Sequence, residues 1–347
     1  LSEQLLPIIF KDDHLQILDQ RQLPNKIVYN KRKTIEEVFH AIKDMELRGA
    51  PLIGITAAYG MYLSVLEFKG DSKALLNQLK DNGDYLVKAR PTAVNLAWAI
   101  KRMIATAKRN HEKEPEEIKK ELLSEAVLIN KEDVEICKSI GEKLLTLLKK
   151  GNGLLTHCNA GALATYQYGT ATAPMYLGHE RGWKFKIFTD ETRPYNQGAR
   201  LTAFELSEAG MDVTLICDNM AGVVMSQGKV DAVIVGCDRV ASNGDTANKI
   251  GTMTLSVLAK EFGIPFYIAA PTPTIDMETP SGKEIPIEER PHEEITTFKG
   301  ERVAPENISV YNPAFDVSQA ENITAIVTEK GIVYPPYKEN LAKLMKG

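Results

Sequence analysis

Apolar positions along this chain follow one pattern before Gly151-Asn152-Gly153 and another after it. Short apolar pieces at 5–10, 14–18 and 26–29, set apart by polar turns, predict three short strands. From Thr34 the spacing is helical. Thr34 can cap the third amide of a helix and Glu37 can reach back, a capping box that predicts a helix ending near Arg48-Gly49. Pro51 suits the first turn of a second helix, predicted to reach about Phe68. Its Gly54, Ala57, Ala58 and Gly60 suit either tight helix packing or backbone contact with a ligand. Arg90-Pro91-Thr92 precedes a helix expected from Ala93 to about Arg109. Residues 111–120 read as a charged loop or helix start, and 121–150 as two helices separated near Asn130.

Beyond Gly153, compact apolar runs alternate with crossover-length helical stretches. The runs lie at 154–156, 186–189, 213–217, 232–235, 266–269 and 325–327. Continuous apolar strands of this kind predict a parallel sheet covered on both faces, hence an α/β doubly wound fold. The boundary falls within 120–150, drawn here as a 1–130 strand and helical domain followed by a 131–347 sheet domain.

The size and composition agree with this picture. Of the 347 residues, 44% are hydrophobic and 25% charged, so neither a disordered chain nor a fibre is expected. The net charge of −4 provides no global field for nucleic acid or an anionic membrane. No stretch approaches the roughly 20 apolar residues of a membrane span. Residues 1–9 lack a signal-peptide pattern, so a cytoplasmic location is expected. Cys137, Cys158, Cys217 and Cys237 include no C-x-x-C pair, and no zinc-hydrolase motif occurs. These cysteines read as reduced thiols, mostly buried, and no metal is expected.

Ligands of open α/β sheets bind beyond the carboxyl ends of the strands, where this chain places long polar loops. Cys158 follows the first run, where a helix N-terminus would lower its thiol pKa; an inert buried cysteine is the alternative. Asp238 follows the fourth run and Cys237. A carboxyl desolvated there would stay protonated as a general acid, unless it pairs with Arg239 or caps a helix. Cys237 itself reads as packing. Asn248-Lys249 is expected to open a helix whose first amides, with the lysine, suit a phosphate. Arg48 and Arg90 stand at helix junctions where guanidinium forks suit the same group. Gln197 suits sugar hydroxyls, and His157 reads as a hydrogen-bonded structural residue more than as a base. Neither a G-x-G-x-x-G nor a Walker loop is present, which argues against a bound dinucleotide or NTPase action. The residues alone thus point to a protein that binds a small phosphorylated, sugar-like ligand, with a thiol and a carboxyl as its reactive pair.

Six motifs carry a more specific resemblance: Arg48-Gly49-Ala50-Pro51-Leu52-Ile53-Gly54, Arg90-Pro91-Thr92-Ala93-Val94-Asn95-Leu96, Thr156-His157-Cys158-Asn159-Ala160-Gly161, Glu191-Thr192-Arg193-Pro194 through Gly198-Ala199-Arg200, Gly236-Cys237-Asp238-Arg239, and Asn248-Lys249-Ile250-Gly251-Thr252. In order, across about residues 14–335, they resemble the methylthioribose-1-phosphate isomerases. That superfamily also holds ribose-1,5-bisphosphate isomerases and regulatory subunits of the eukaryotic translation-initiation nucleotide-exchange factor. The resemblance implies a homodimer of methionine salvage, with a Rossmann-like C-terminal domain and no cofactor or metal. It implies catalysis by Cys158 and Asp238, and substrate binding by Arg48, Gly49, Ala50, Arg90, Gln197, Asn248 and Lys249. The expected reaction turns 5-methylthioribose 1-phosphate into 5-methylthioribulose 1-phosphate. Asp238 would protonate the ring oxygen, and Cys158 would move hydrogen from C2 to C1, as a proton or within a hydride shift. Another pentose 1-phosphate, or sugar-phosphate or nucleotide binding without turnover, are the alternatives; retention of both Cys158 and Asp238 favours an enzyme.

Overall fold

The computed structural model describes residues 5–91 and 93–346. Thr92 of the Arg90-Pro91-Thr92 motif lies outside the described residues. The chain forms two units. Of the described residues, the first comprises 5–135 together with 162–169, and the second comprises 136–161 and 170–346.

The first unit opens with a three-stranded antiparallel meander, β1 (Ile8–Lys11), β2 (His14–Leu18) and β3 (Tyr29–Arg32). Helices α1 (Ile35–Lys43), α2 (Ala50–Leu63), α3 (Ser72–Leu86), α4 (Val94–Arg109) and α5 (Pro115–Leu145) follow, the last ten residues of α5 belonging to the second unit. The Thr34–Glu37 capping box forms as expected. α1 stops at Lys43, earlier than expected, and the chain turns through a left-handed Met45 before Arg48. α2 is buried all round from Leu52 to Leu63, as an apolar helix with no polar face must be. Its small residues serve packing: a Cβ on Gly60 would fall 2.8 Å from Val38 of α1, and one on Gly54 3.1 Å from the Asn95 carbonyl of α4. α5 runs unbroken through Asn130, correcting the expected break there. Asn130 is tolerated because helix propensity is a weak preference that packing overrides. Residues 162–169 belong to this unit by specific contacts. Gln20 Nε2 donates to the Leu163 carbonyl at 2.7 Å, and the Tyr166 amide donates to Asp133 Oδ2 at 3.0 Å.

The second unit contains, in chain order, β4 (Gly153–Thr156), α6 (Ala173–Glu180), β5 (Lys186–Asp190), α7 (Ala203–Glu208), β6 (Asp212–Ile216), α8 (Ala221–Ser226) and β7 (Ala232–Val235). There follow β8 (Arg239–Ala241), β9 (Thr246–Lys249), α9 (Thr252–Glu261), β10 (Phe266–Ala269), β11 (Ile275–Asp276), α10 (Glu293–Thr296), β12 (Thr297–Phe298) and β13 (Glu301–Arg302). β14 (Phe315–Ser318), β15 (Ala325–Val327), β16 (Ile332–Val333) and α11 (Tyr337–Lys346) complete it. The main sheet has the order β16-β15-β10-β7-β4-β5-β6, parallel except for β16. All six expected strands are present, and the doubly wound, Rossmann-like order is realised. From β4 the chain steps through β5 to β6, then returns to β7 on the other side of β4. The switch point therefore lies between β4 and β7. Leu155, Val233, Val235, Phe266, Ile268 and Ile326 form the sheet's core with Leu255 of α9 and Leu341 of α11. A second sheet, β11-β8-β9-β14, occupies part of what the sequence presents as loops. Among the described residues, no helix is long and apolar enough to cross a membrane.

Candidate active site

Neighbouring parallel strands bring their carboxyl ends together, so the loops after β4 and β7 are adjacent at the switch point. The backbone confirms the approach: a Cβ on Gly236 would lie 2.6 Å from the Cβ of Ala160. Cys158 thus sits two residues from this contact on one loop, and Asp238 two residues from it on the other.

Cys158 is half-buried, with a left-handed φ of 63°. Its amide donates to Thr192 Oγ1 at 2.8 Å, and its carbonyl accepts from Thr202 Oγ1 at 2.5 Å. The expected helix N-terminus is not beside it. Only a short 3-10 turn at Ala162–Ala164 follows, and α6 begins at Ala173. The loop is held instead by hydrogen bonds to Thr192 and Thr202 of the segment after β5.

Asp238 also departs from expectation. It is exposed, whereas its neighbour Cys237 is half-buried and packs against the sheet's core. Cys237 Sγ lies 3.3 Å from Thr274 Oγ1, and burial pushes its thiol up to about 12, the inert packing role expected of it. Alternation at the strand end explains the exchange: Cys237 packs and Asp238 faces solvent. Arg239 pairs with Asp276 at 3.2 Å. Cys217, expected to be buried, is exposed because β6 is the edge strand and its outer face is uncovered.

The loop after β5 supplies Gln197, buried just before a π-helical turn at Gly198–Thr202, with its Oε1 lacking a hydrogen-bond partner. Such a buried orphan oxygen is costly unless something fills its demand. The loop itself is anchored by Asp218, whose two oxygens accept from the Thr192 and Arg193 amides at 2.7 Å each.

Asn248 and Lys249 do not open a helix; they end strand β9. Asn248 Nδ2 donates to Thr252 Oγ1 at 3.0 Å, and Lys249 Nζ lies 4.9 Å from the centroid of the Phe315 ring, its cross-strand neighbour. α9 begins at Thr252, and the phosphate seat expected at its amides is already occupied. Asp316 accepts from the Gly251 amide at 2.7 Å and the Met253 amide at 2.9 Å. Burial raises the Asp316 carboxyl although both amides oppose this.

His157 is buried and bonded at both nitrogens, to Asp190 Oδ2 at 2.9 Å and to the Ile250 carbonyl at 2.8 Å. Burial lifts Asp190 above the usual carboxyl range, with His157 pulling the other way. For His157, burial works against the charge, but the bond to Asp190 and the charges of Asp190 and Asp218 outweigh it and raise its pKa. Ligand atoms of His157, Asp190 and Asp218 lie within 4.8 Å of one another, a spacing that could suit a metal. Here hydrogen bonds engage both ring nitrogens and both Asp218 oxygens, while Asp190 Oδ1 is buried without a hydrogen-bond partner.

Cys158, Asp238, Gln197, Asn248 and Lys249 all belong to the second unit. The other expected ligands belong to the first. Arg48 is half-buried ahead of α2, Gly49 caps that helix at φ 104°, and Ala50 is its exposed first residue. Arg90 is half-buried after α3, its carbonyl accepting from the Ala93 amide at 3.0 Å. Sequence reasoning assigned no role to Asp190, Thr192, Thr202, Asp218 or Asp316. Thr192 did stand in a quoted motif, whereas Asp316 lies 65 residues from its Gly251 partner and left no local signal.

Residues 46–335 match the model of the initiation factor 2 subunit family. The chain is 62% identical over 346 residues to a 5-deoxyribose 1-phosphate isomerase of Clostridium botulinum, covering 99% of both chains. It superposes on the crystal structure of a 5-methylthioribose 1-phosphate isomerase from Pyrococcus horikoshii with a TM-score of 0.95 and 45% identity, covering 99% of this chain and 97% of that one. It is also similar to the crystal structure of the translation initiation factor eIF-2B, subunit delta, from A. fulgidus, with a TM-score of 0.93 and 44% identity, covering 99% of this chain and 100% of that one.

Proposed function

The chain belongs to the initiation factor 2 subunit family, and we propose that within it this protein is an aldose–ketose isomerase of pentose 1-phosphates with an apolar 5-position. The observation that carries the reading is the meeting of the Cys158 and Asp238 loops at the sheet's switch point. The relatives named for 5-deoxyribose 1-phosphate and 5-methylthioribose 1-phosphate support the substrate class, since both sugars lack a charged 5-substituent.

The 1-phosphate blocks simple opening of the sugar to a free aldehyde. A proton must reach the ring oxygen, and hydrogen must move from C2 to C1 while the phosphate stays attached. Asp238 is assigned the first task and Cys158 the second. Because Asp238 is exposed, bound substrate must supply the desolvation that an acid needs. Gln197, with its orphan oxygen, is assigned to a sugar hydroxyl, and Asn248 and Lys249 to the ligand's polar groups. Arg48, Gly49, Ala50 and Arg90 are proposed as further substrate ligands on the strength of the resemblance. A homodimer is proposed on the same ground. It is supported by Leu215, Met220 and Val223, apolar residues 50%, 45% and 53% exposed on and after edge strand β6.

Phosphorus and proton NMR of the purified protein with 5-methylthioribose 1-phosphate, 5-deoxyribose 1-phosphate and ribose 1,5-bisphosphate tests the reading. A 1-phospho-ketose should form from the first two and only poorly from the third. No turnover of any of them by folded protein overturns the isomerase reading in favour of a non-catalytic binding role. Deuterium entering C1 in D2O would mark proton transfer rather than a hydride shift.

A further inference from the structure

His157 and Cys158 are held by hydrogen bonds to residues distant in sequence, Asp190, Thr192, Thr202 and Ile250. His157 is 1% exposed. The Ile250 carbonyl can only accept, so His157 Nε2 carries a hydrogen and donates it. Nδ1 is held by Asp190 at the end of β5. The ring fills the place beside Gly251, where a Cβ would fall 2.8 Å from His157 Cε1; Gly251 itself has φ 103°. Carboxylates face the imidazole from three elements: Asp190 of β5, Asp218 after β6, and Asp316 of β14. With both nitrogens engaged, the ring has no site from which to act as a base. Its neighbour Cys158 is pinned through Thr192 Oγ1, which donates in turn to the Asp190 carbonyl at 3.2 Å. Ile250 directly follows Asn248 and Lys249, so one side chain spans from the thiol's loop to the end of β9.

We propose that His157 and Thr192 are positioning residues: His157 is a strut fixing the Cys158 loop against the Asn248–Lys249 strand end, and Thr192 holds the strained Cys158 backbone. The kinetic side of this proposal rests on the isomerase reading; the geometric side does not. A misplacement of about 1 Å at a reacting group costs about 100-fold in rate.

The test uses full-length protein carrying His157→Asn, His157→Gln, Thr192→Val or Thr192→Ser. Two quantities are read. One is kcat against KM for the pentose 1-phosphate that turns over. The other is the rate of Cys158 alkylation by iodoacetamide between pH 6 and 10, followed on the Cys158 peptide by mass spectrometry. Thr192→Val should lower kcat about 100-fold with KM little changed and shift the alkylation profile, and Thr192→Ser should recover most of both. His157→Gln, which keeps a donor for Ile250, should lose less than His157→Asn. Folded Thr192→Val and His157→Gln proteins with unchanged kcat and alkylation profile, whatever their Tm, overturn the proposal. If the histidine variants do not fold, the Thr192 pair decides. If the unsubstituted protein turns over no pentose 1-phosphate, the isomerase reading fails and the alkylation profiles alone decide the positioning role.

Discussion

Two single atoms carry the proposed chemistry, and their removal should separate their roles. Cys158→Ser changes sulfur to oxygen in a half-buried loop, so folding should persist while kcat drops by about 100-fold or more; near-normal turnover removes the thiol from the reaction. Asp238→Asn should abolish turnover and leave ligand binding by calorimetry intact, since the exposed carboxyl supports no core packing. A third residue acts on stability alone. Burial pushes Asp133 up to about 7 from its ordinary 3.8, against the Tyr166 amide that favours its charge. The folded state therefore binds more protons than the unfolded one between these values, and stability must fall as pH rises through that window. Asp133→Asn keeps an oxygen for Tyr166 and has no proton to lose. Its Tm should exceed that of the unsubstituted protein at pH 8, and the advantage should shrink at pH 5. An advantage that does not vary with pH would mean that Asp133 contributes by packing only.

Elements were legible where a long segment repeats one pattern. The apolar runs of β4, β7 and β10 are buried at every position and announce themselves. α3, by contrast, holds Asn77, Asp81, Asn82 and Gly83, and went unread although four of its positions are buried. The β11-β8-β9-β14 sheet was hidden for another reason. Its strands are two to four residues long, and Asn248 pairs with Asp316, 68 positions away, so no local window contains the partner. That hidden sheet matters to the site, because it turns Asn248 and Lys249 into a strand end and brings Asp316 to the start of α9. Asp316→Ala should cost about 1 kcal/mol in urea unfolding, the typical value of a cap, and release the Gly251 and Met253 amides. An unchanged midpoint would show that solvent satisfies those amides as well. The thiol and carboxyl could be picked from the sequence as strand-end residues. Their environments could not, because burial at a strand end depends on which way the last residue turns and on what the next loop covers.

At the scale of the molecule, the exposed apolar residues of β6 and the segment after it predict association. Light scattering should give twice the 38.4 kDa chain mass, and Val223→Glu, placed on a half-exposed position, should return the monomer without unfolding it. A monomer at micromolar concentration would leave those residues as ordinary surface. The route of the chain has a further consequence for synthesis. Residues 162–169 complete the first unit, yet they are made after β4 of the second unit, so a ribosome cannot finish one before starting the other. Nascent chains ending at 150 should leave the region around Gln20 and Asp133 open to protease, and chains long enough to expose residue 169 should close it. The protein would then be born as a whole rather than unit by unit, and neither half could be inherited, lent or expressed as a module by a single cut.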